Sequence, residues 1–167
     1  MFIDMKSPFF ITAFPRSRTA WLSNWLTTDS HFCWHDCTFK DDLIGEIPIG
    51  ISSSEIAPQY GEISLIYPNA PWLLVKRDSV EALASFLKFA ERKQLNSKSF
   101  YDGIHHFWET RAKLLEELSH QPNVLTVEFF ELDSIATAEK VWEHLLPEFA
   151  FDERRWKMLN GFNIQQY

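Results

Sequence analysis

Cysteine is scarce in this sequence, and long hydrophobic runs are missing from it. Two cysteines among 167 residues are too few for a disulfide framework, which favours a protein of a reducing compartment. No apolar run reaches the roughly 18–20 residues that a membrane span needs. Residues 1–6 lack the charged segment followed by an apolar segment that marks a signal peptide. We therefore expect a cytoplasmic protein that has no membrane partner.

Positively charged residues are outnumbered by negatively charged ones. The chain has 16 Lys and Arg residues against 23 Asp and Glu residues, which gives a net charge of −7. This balance disfavours nucleic acid as a partner, and any anionic ligand then requires a local cluster of cations. Hydrophobic residues are plentiful at 46%, and aromatic residues make up 16% of the chain. That is ample for the core of a single domain spanning residues 1–167.

Apolar runs alternate with helical patterns along the chain. Strands are predicted over residues 8–14, 47–51, 72–76 and 123–128, whereas residues 28–46 are predicted to be mostly loop. Helices are predicted over residues 19–27, 55–67, 79–93, 97–120, 134–146 and 152–160. This alternation indicates an α/β three-layer sandwich with a mostly parallel central sheet. Ligands bind such sheets at the carboxyl ends of the strands.

The end of the first predicted strand carries an unusual polar segment. Residues 15–19 read Pro-Arg-Ser-Arg-Thr and run directly into a helix. The start of a helix offers free backbone N–H groups, which favour an anion. Ser17 and Thr19 add hydroxyl donors, and Arg16 and Arg18 add positive charge. The segment is therefore predicted to bind a phosphorylated ligand.

The end of the strand at residues 72–76 has a similar character. Lys76 and Arg77 lie there, and Asp78 is placed to cap the helix that follows. Ser85 comes seven residues after Asp78, nearly two helical turns, so it returns to the same helix face. Because parallel strands end at one edge of the sheet, we expect these two cations to converge with Arg16 and Arg18.

The two segments together resemble the sulfotransferases that use 3′-phosphoadenosine 5′-phosphosulfate (PAPS). Their first motif, a strand followed by P-[KR]-S-G-T-T-W-L, is similar to P-R-S-R-T-A-W-L at residues 15–22. Their second motif, an arginine and a serine eight residues later, is similar to Arg77 and Ser85. The segment at residues 123–132 resembles the family's late strand and its "E-D-L"-type sequence. The resemblance spans about residues 9–150.

The resemblance implies a P-loop nucleoside-triphosphate-hydrolase-like fold and a role for each matching residue. Arg16 is expected near the 5′-phosphosulfate and its bridging oxygen. Ser17 and Thr19, with the backbone amides of the loop, are expected to hold the 5′-phosphate. Arg77 and Ser85 are expected to hold the 3′-phosphate. The implied reaction moves a sulfuryl group to a hydroxyl or amine of a small acceptor.

The sequence departs from this family pattern at three places. Arg18 replaces a glycine, so we expect no glycine-only backbone conformation there and an added charge instead. Ala20 replaces a hydroxyl residue and removes one donor. The family's late R-K-G-x-x-G-D-W-K-type segment is not recognisable, although Arg-Arg-Trp-Lys at residues 154–157 echoes it. These departures leave a non-catalytic nucleotide-binding relative as an alternative to an enzyme.

Metal chemistry is not expected at this site. The G-x-x-x-x-G-K-[ST] motif is absent and no carboxylate is clearly placed for magnesium, which argues against the further alternative of a small-metabolite kinase. His31, Cys33, His35 and Cys37 alternate in one short segment and invite a zinc interpretation. Alternating ligands on one strand surround a tetrahedral ion poorly. A pair of buried cysteines is the simpler reading.

A catalytic base is expected from the segment after the first helix. His35 is the preferred candidate, since related small sulfotransferases often have a His-Glu-like pair that His35-Asp36 resembles. The segment is expected to fold back over the site. The alternative candidates for the base are His31, Asp36 and Glu55.

Two groups within the predicted helix at residues 97–120 are assigned no role in the chemistry. His105 and His106 point about 100° apart on a helix and are expected to be structural. Four aromatic residues are expected in the core rather than as a platform for adenine: Phe100, Tyr101, Phe107 and Trp108.

Overall fold

The apolar segments form the strands of one parallel sheet. A computed structural model describes residues 7–39, 48–95 and 97–162. The strands are β1 (Phe9–Ala13), β2 (Phe32–His35), β3 (Ile49–Ser52), β4 (Trp72–Lys76) and β5 (Val124–Glu128). Their order across the sheet is β2-β3-β1-β4-β5, and every neighbouring pair is parallel. All five strands therefore end at the same edge.

Helices connect the strands and cover both faces of the sheet. They are α1 (Thr19–Trp25), α2 (Tyr60–Ile66), α3 (Ser79–Arg92), α4 (Lys98–Ser119), α5 (Ile135–Leu145) and α6 (Glu153–Asn160). Two 3₁₀ turns, Ala57–Gln59 and Phe129–Asp133, precede α2 and α5. The Asp78 carboxylate accepts hydrogen bonds from the backbone N–H groups of Val80 and Glu81, so the predicted cap of α3 is confirmed.

The central strand β1 explains the three layers, because its side chains alternate between two cores. Phe9, Ile11 and Ala13 pack with α1, α5 and α6, in a cluster that includes four buried tryptophans: Trp21, Trp25, Trp142 and Trp156. Phe10 points to the other face, which α2, α3 and α4 cover. A strand buried on both faces reads as a continuous apolar run. The predicted α/β sandwich and its P-loop-like fold are confirmed.

The segment at residues 28–46 departs from the prediction. It was expected to be mostly loop, but Phe32–His35 forms β2 at the edge of the sheet. A four-residue edge strand with half-exposed side chains carries a weak apolar signal, and turn-forming residues surround it. Residues 40–47 lie outside the described residues. The strand predicted over 47–51 exists as Ile49–Ser52 and is third rather than second in the chain.

Candidate functional site

A cavity of about 910 Å³ lies at the carboxyl edge of the sheet. The segment that follows each of the five strands contributes to its wall. These contributions are Arg16 after β1, His35 and Asp36 at the end of β2, Glu55 after β3, Arg77 after β4 and Phe129 after β5. The expectation that a ligand site lies at this edge agrees with the geometry.

The loop at residues 15–19 turns sharply between β1 and α1. Arg16 and Arg18 both have φ of 68°, in the left-handed region that residues with a side chain rarely adopt. Arg18 therefore adopts a left-handed conformation that glycine favours but that other residues can also reach. Ser17 is fully buried, and its hydroxyl has no hydrogen-bond partner among the described residues. Such strained, polar loops are found at ligand-binding positions.

Arg16 and Arg77 join the first and fourth strand ends. The Nη1 atom of Arg77 donates a 2.6 Å hydrogen bond to the backbone carbonyl of Arg16. The Nε atoms of both residues are buried and have no partner within the described part of the chain. Burial lowers the pKa of Arg16 from its ordinary value, and the positive charges of Arg92 and Arg77 lower it further. Positive charge is therefore concentrated here in an acidic chain, as an anion site requires.

Arg18 leaves the same loop in another direction. Its Nη1 lies 2.7 Å from Oδ1 of Asp133, and its Nη2 lies 3.4 Å from Oδ1 of Asn160. The guanidinium carbon is 4.9 Å from the ring centre of Trp21 and 5.9 Å from that of Phe129. This side chain is thus held by two oxygen acceptors and two aromatic rings, and it remains part of the cavity wall.

Ser85 also lines the cavity, from α3, as its spacing after Arg77 predicts. Lys76 does not join the predicted cluster of four cations, and that expectation is wrong. It is the last residue of β4, and its ammonium pairs with Glu116 at 3.0 Å. Successive residues of a strand point to opposite faces, so Lys76 and Arg77 diverge. Lys93, beyond α3, lines the cavity instead.

His35 reaches the cavity as the final residue of β2, not from a segment folded back over the site. Its Nε2 atom lies 3.3 Å from the Thr19 hydroxyl and 3.3 Å from Oδ1 of Asp36. Its Nδ1 atom is buried and lacks a partner among the described residues. The histidine ring therefore connects a hydroxyl of the loop at residues 15–19 to a carboxylate in the cavity wall.

Two carboxylates lie near this histidine. Burial raises the pKa of Asp36, the nearby Glu55 raises it further, and His35 opposes the change. Glu55 is paired with the buried Arg111, whose Nη2 lies 2.9 Å from Oε2 of the carboxylate. Arg111 also donates a 2.6 Å hydrogen bond to the backbone carbonyl of Ser54. Nothing in the sequence pattern singled out this arginine, which lies in the middle of α4.

His31 does not reach the cavity. Its Nδ1 lies 2.6 Å from the carbonyl oxygen of Leu26, and its ring packs edge-on against Trp142 and Phe149. Cys33 is buried and Cys37 is half-buried, so the expected pair of buried cysteines holds for Cys33 alone. Among residues 7–39, 48–95 and 97–162, no three His, Cys, Asp or Glu side chains are grouped to hold a metal ion.

Aromatic rings line the rest of the cavity. Sequence did not single out Phe86, Phe89 and Phe129. Phe107 packs against the core, as expected, and also lines the cavity. The guanidinium carbon of Arg77 is 4.4 Å from the ring centre of Phe129. Phe129 directly follows β5, so the rule that ligands bind at strand ends was the signal that could have found it. His105 and His106 are exposed on α4.

Solved structures identify this architecture. A mouse sulfotransferase, SULT7A1 complexed with PAP, superposes with a TM-score of 0.61 at 12% sequence identity. The match covers 93% of this chain and 63% of that one. A sulfotransferase from Alicyclobacillus acidocaldarius superposes with a TM-score of 0.60 at 14% identity, covering 92% of this chain and 90% of that one. The chain has the sulfotransferase fold.

Sequence comparison adds no closer relative to the sulfotransferase fold. No protein-family model matches the chain, and no curated protein matches it significantly. The chain spans less than two thirds of the mouse sulfotransferase. In the part of the chain that the structure describes, no helix is both long and apolar enough to cross a membrane.

Proposed function

We propose that this protein transfers a sulfuryl group from PAPS to a hydroxyl or amine of a small acceptor. The observation that carries the proposal is a pair of buried guanidinium nitrogens that have no partner among the described residues, on two arginines that line the cavity of a sulfotransferase fold. They are Arg16 Nε and Arg77 Nε. Buried polar groups are normally paired, so donors left open around one cavity suit a ligand rich in acceptor oxygens.

The residues present fit a nucleotide that carries two phosphates. Ser17, Thr19 and the backbone of residues 15–19 are assigned to the 5′-phosphate. Arg77 and Ser85 are assigned to the 3′-phosphate. The 2.6 Å bond from Arg77 to the Arg16 carbonyl fixes the spacing between these two positions. The half-buried phenyl rings of the cavity offer faces for the adenine.

The reaction requires charge stabilisation and proton removal. PAPS supplies an activated sulfuryl group, whose S–O bond to the 5′-phosphate breaks as a bond from sulfur to the acceptor forms. Arg16 stabilises the negative charge that grows on the departing phosphate oxygen. The acceptor proton passes to His35, so adenosine 3′,5′-bisphosphate (PAP) leaves as the second product. No metal ion is assigned a part.

His35 is the proposed base because it lies where the two substrates would meet. Its Nε2 is already within reach of the Thr19 hydroxyl, in the loop assigned to the 5′-phosphate. The acceptor hydroxyl or amine takes the place of the Thr19 hydroxyl beside Nε2, and its proton passes to that nitrogen. Asp36 lies 3.3 Å from the same nitrogen, so its carboxylate stabilises the imidazolium that forms.

Titration calorimetry and a transfer assay test this function together. PAP is expected to bind in the presence of EDTA, and at least tenfold more tightly than AMP, which lacks the 3′-phosphate. Sulfate labelled in PAPS is expected to reach a member of a panel of phenols, alcohols and amines. Equal affinity for PAP and AMP would contradict the assignment of Arg77 and Ser85. PAP binding without any transfer would instead favour the non-catalytic relative, and Mg²⁺-dependent transfer from ATP would favour a kinase.

A further inference from the structure

The residue that departs most from the sulfotransferase pattern is a cation of the cavity wall with contacts to distant parts of the chain. Arg18 is in the left-handed region with φ of 68° and ψ of 15°. Its side chain is 19% exposed, and its guanidinium carbon lies 4.9 Å from the ring centre of Trp21 and 5.9 Å from that of Phe129. A planar guanidinium stacks favourably on such rings, and its fork of N–H groups is then fixed in one plane.

The contacts of Arg18 leave part of its donor set open. Asp133 accepts from Nη1 and Asn160 accepts from Nη2. A guanidinium has five N–H donors, so these two bonds leave three N–H groups for another acceptor. Asp133 itself is 63% exposed, so its ion pair with Arg18 contributes little to stability and serves mainly to orient the side chain.

Arg18 and Arg77 meet at a single aromatic ring. The guanidinium carbon of Arg77 is 4.4 Å from the centre of the Phe129 ring, and that of Arg18 is 5.9 Å from it. Among the described residues, Arg77 pairs with no carboxylate, and its Nε is buried without a partner. A phosphate monoester carries close to two negative charges at neutral pH, which one arginine leaves partly uncompensated.

We propose that Arg18 is a specificity-determining residue that supplies the second guanidinium to the 3′-phosphate, beside the Phe129 ring that Arg77 also contacts. Asp133 and Asn160 are positioning residues that hold its fork toward the cavity. This inference rests on the proposed function, because it names the phosphate that the cluster recognises. The loop at residues 15–19 then contacts both phosphates: the 5′-phosphate through Ser17 and Thr19, and the 3′-phosphate through Arg18.

Binding of PAP and of AMP to four proteins tests the inference by calorimetry. Arg18→Gly removes the guanidinium, and glycine adopts the left-handed backbone of that position without strain. We expect PAP to bind at least tenfold more weakly to this variant, and AMP to change by less than threefold. Asp133→Asn should weaken PAP two- to fivefold, since the guanidinium is then less firmly oriented. Arg154→Ala, an exposed arginine on α6 outside the cavity, removes the same charge and should change neither affinity.

The outcomes separate this inference from the function on which it rests. If the unaltered protein fails to bind PAP, both the function and the inference are wrong. If it binds PAP but Arg18→Gly weakens PAP and AMP by the same factor, only the inference fails. An Arg18→Gly variant with unchanged PAP affinity, or tighter PAP binding by Asp133→Asn, also overturns it. Thermal unfolding of each variant within a few degrees of the unaltered protein shows that the fold is retained.

Discussion

The Nη1 atom of Arg77 donates a hydrogen bond to the backbone carbonyl of Arg16 at 2.6 Å. This bond links the segment after β4 to the strained loop after β1, across two adjacent parallel strands. Because of this bond, the distance between the two proposed phosphate positions is fixed before a ligand binds. Two independent surface side chains would not fix it. Preorganisation of this kind lowers the cost of ordering the site when a ligand binds.

Replacing Arg77 should therefore affect both the ligand and the loop. We expect Arg77→Ala to weaken PAP binding about 100-fold, because the charge-assisted hydrogen bonds between the guanidinium and the 3′-phosphate are lost. Loss of the bond to Arg16 should also lower the free energy of unfolding by roughly 1–3 kcal/mol. Calorimetry and urea unfolding measure the two effects.

The neighbouring cation provides a matched control for that experiment. Lys76 precedes Arg77 but is paired with Glu116 outside the cavity. Lys76→Ala should leave PAP affinity unchanged and alter stability by less than about 0.5 kcal/mol, as expected for an exposed ion pair. A comparable loss of PAP affinity in both variants would show that net charge, not the position of Arg77, governs binding.

The catalytic assignment predicts a separation of rate from affinity. His35→Gln should lower the turnover number for sulfuryl transfer by roughly 10²–10⁴-fold, the usual contribution of a general base. PAP affinity should stay within about threefold, since the hydrogen-bond contact of His35 with the loop is one neutral hydroxyl, that of Thr19. His105→Gln, on the exposed side of α4, is the control and should leave the rate unchanged. If Asp36→Asn reduces the rate far more than His35→Gln, the carboxylate is the base.

Two of the strands that sequence predicts well are buried on both faces. β1 and β4 read as unbroken apolar runs because helices cover both sides of them. Among the described strands, β2 pairs with β3 alone, and the exposed fraction of Trp34 is 46%. Turn-forming and charged residues flank these four positions, so this edge strand was predicted as loop. His35 is the last residue of that strand. Sequence therefore predicted His35 as a candidate base but not the strand that places it in the cavity.

In the candidate site, sequence predicts the residues placed by local spacing but not the contacts between residues far apart in the chain. Local spacing predicted four residues that line the cavity, because each lies at a fixed distance from the end of a strand and the start of the next helix. They are Arg16, Arg18, Arg77 and Ser85. The contacts of Arg18 with Asp133 and Asn160 span 115 and 142 residues, and no local pattern encodes them. Arg111 was missed for the same reason: its partner Glu55 is 56 residues away.

Stability should fall as the solution is acidified from pH 7.5 to 5.5. Burial lowers the pKa of His31 and of His144 below the ordinary value of 6.5, although hydrogen bonds to backbone carbonyls oppose the change. The unfolded chain then binds more protons than the folded chain, so the free energy of unfolding decreases as pH drops through this window. Urea unfolding at several pH values measures the slope.

A histidine variant isolates one source of that slope. In His31→Asn the side-chain amide replaces Nδ1 as a donor to the Leu26 carbonyl, but it does not titrate. We expect the dependence on pH to become flatter than in the unaltered protein, even where the overall stability is lower. An unchanged slope would exclude His31 as a contributor and leave His144 as the residue responsible.

Gly50 should be among the positions least tolerant of a side chain. It lies on β3 directly opposite Phe9 of β1, and a Cβ atom there would overlap the phenyl ring of Phe9. Since that ring is fully buried, it has no room to move, and Gly50→Ala should lower the free energy of unfolding by about 3 kcal/mol or more.

Gly61→Ala is the matched control, because no atom lies within 4 Å of the added methyl group on the exposed side of α2. That change should raise stability by about 0.5–1 kcal/mol through its helix propensity. Equal effects of the two substitutions on urea unfolding would contradict the close contact between β1 and β3 at this position.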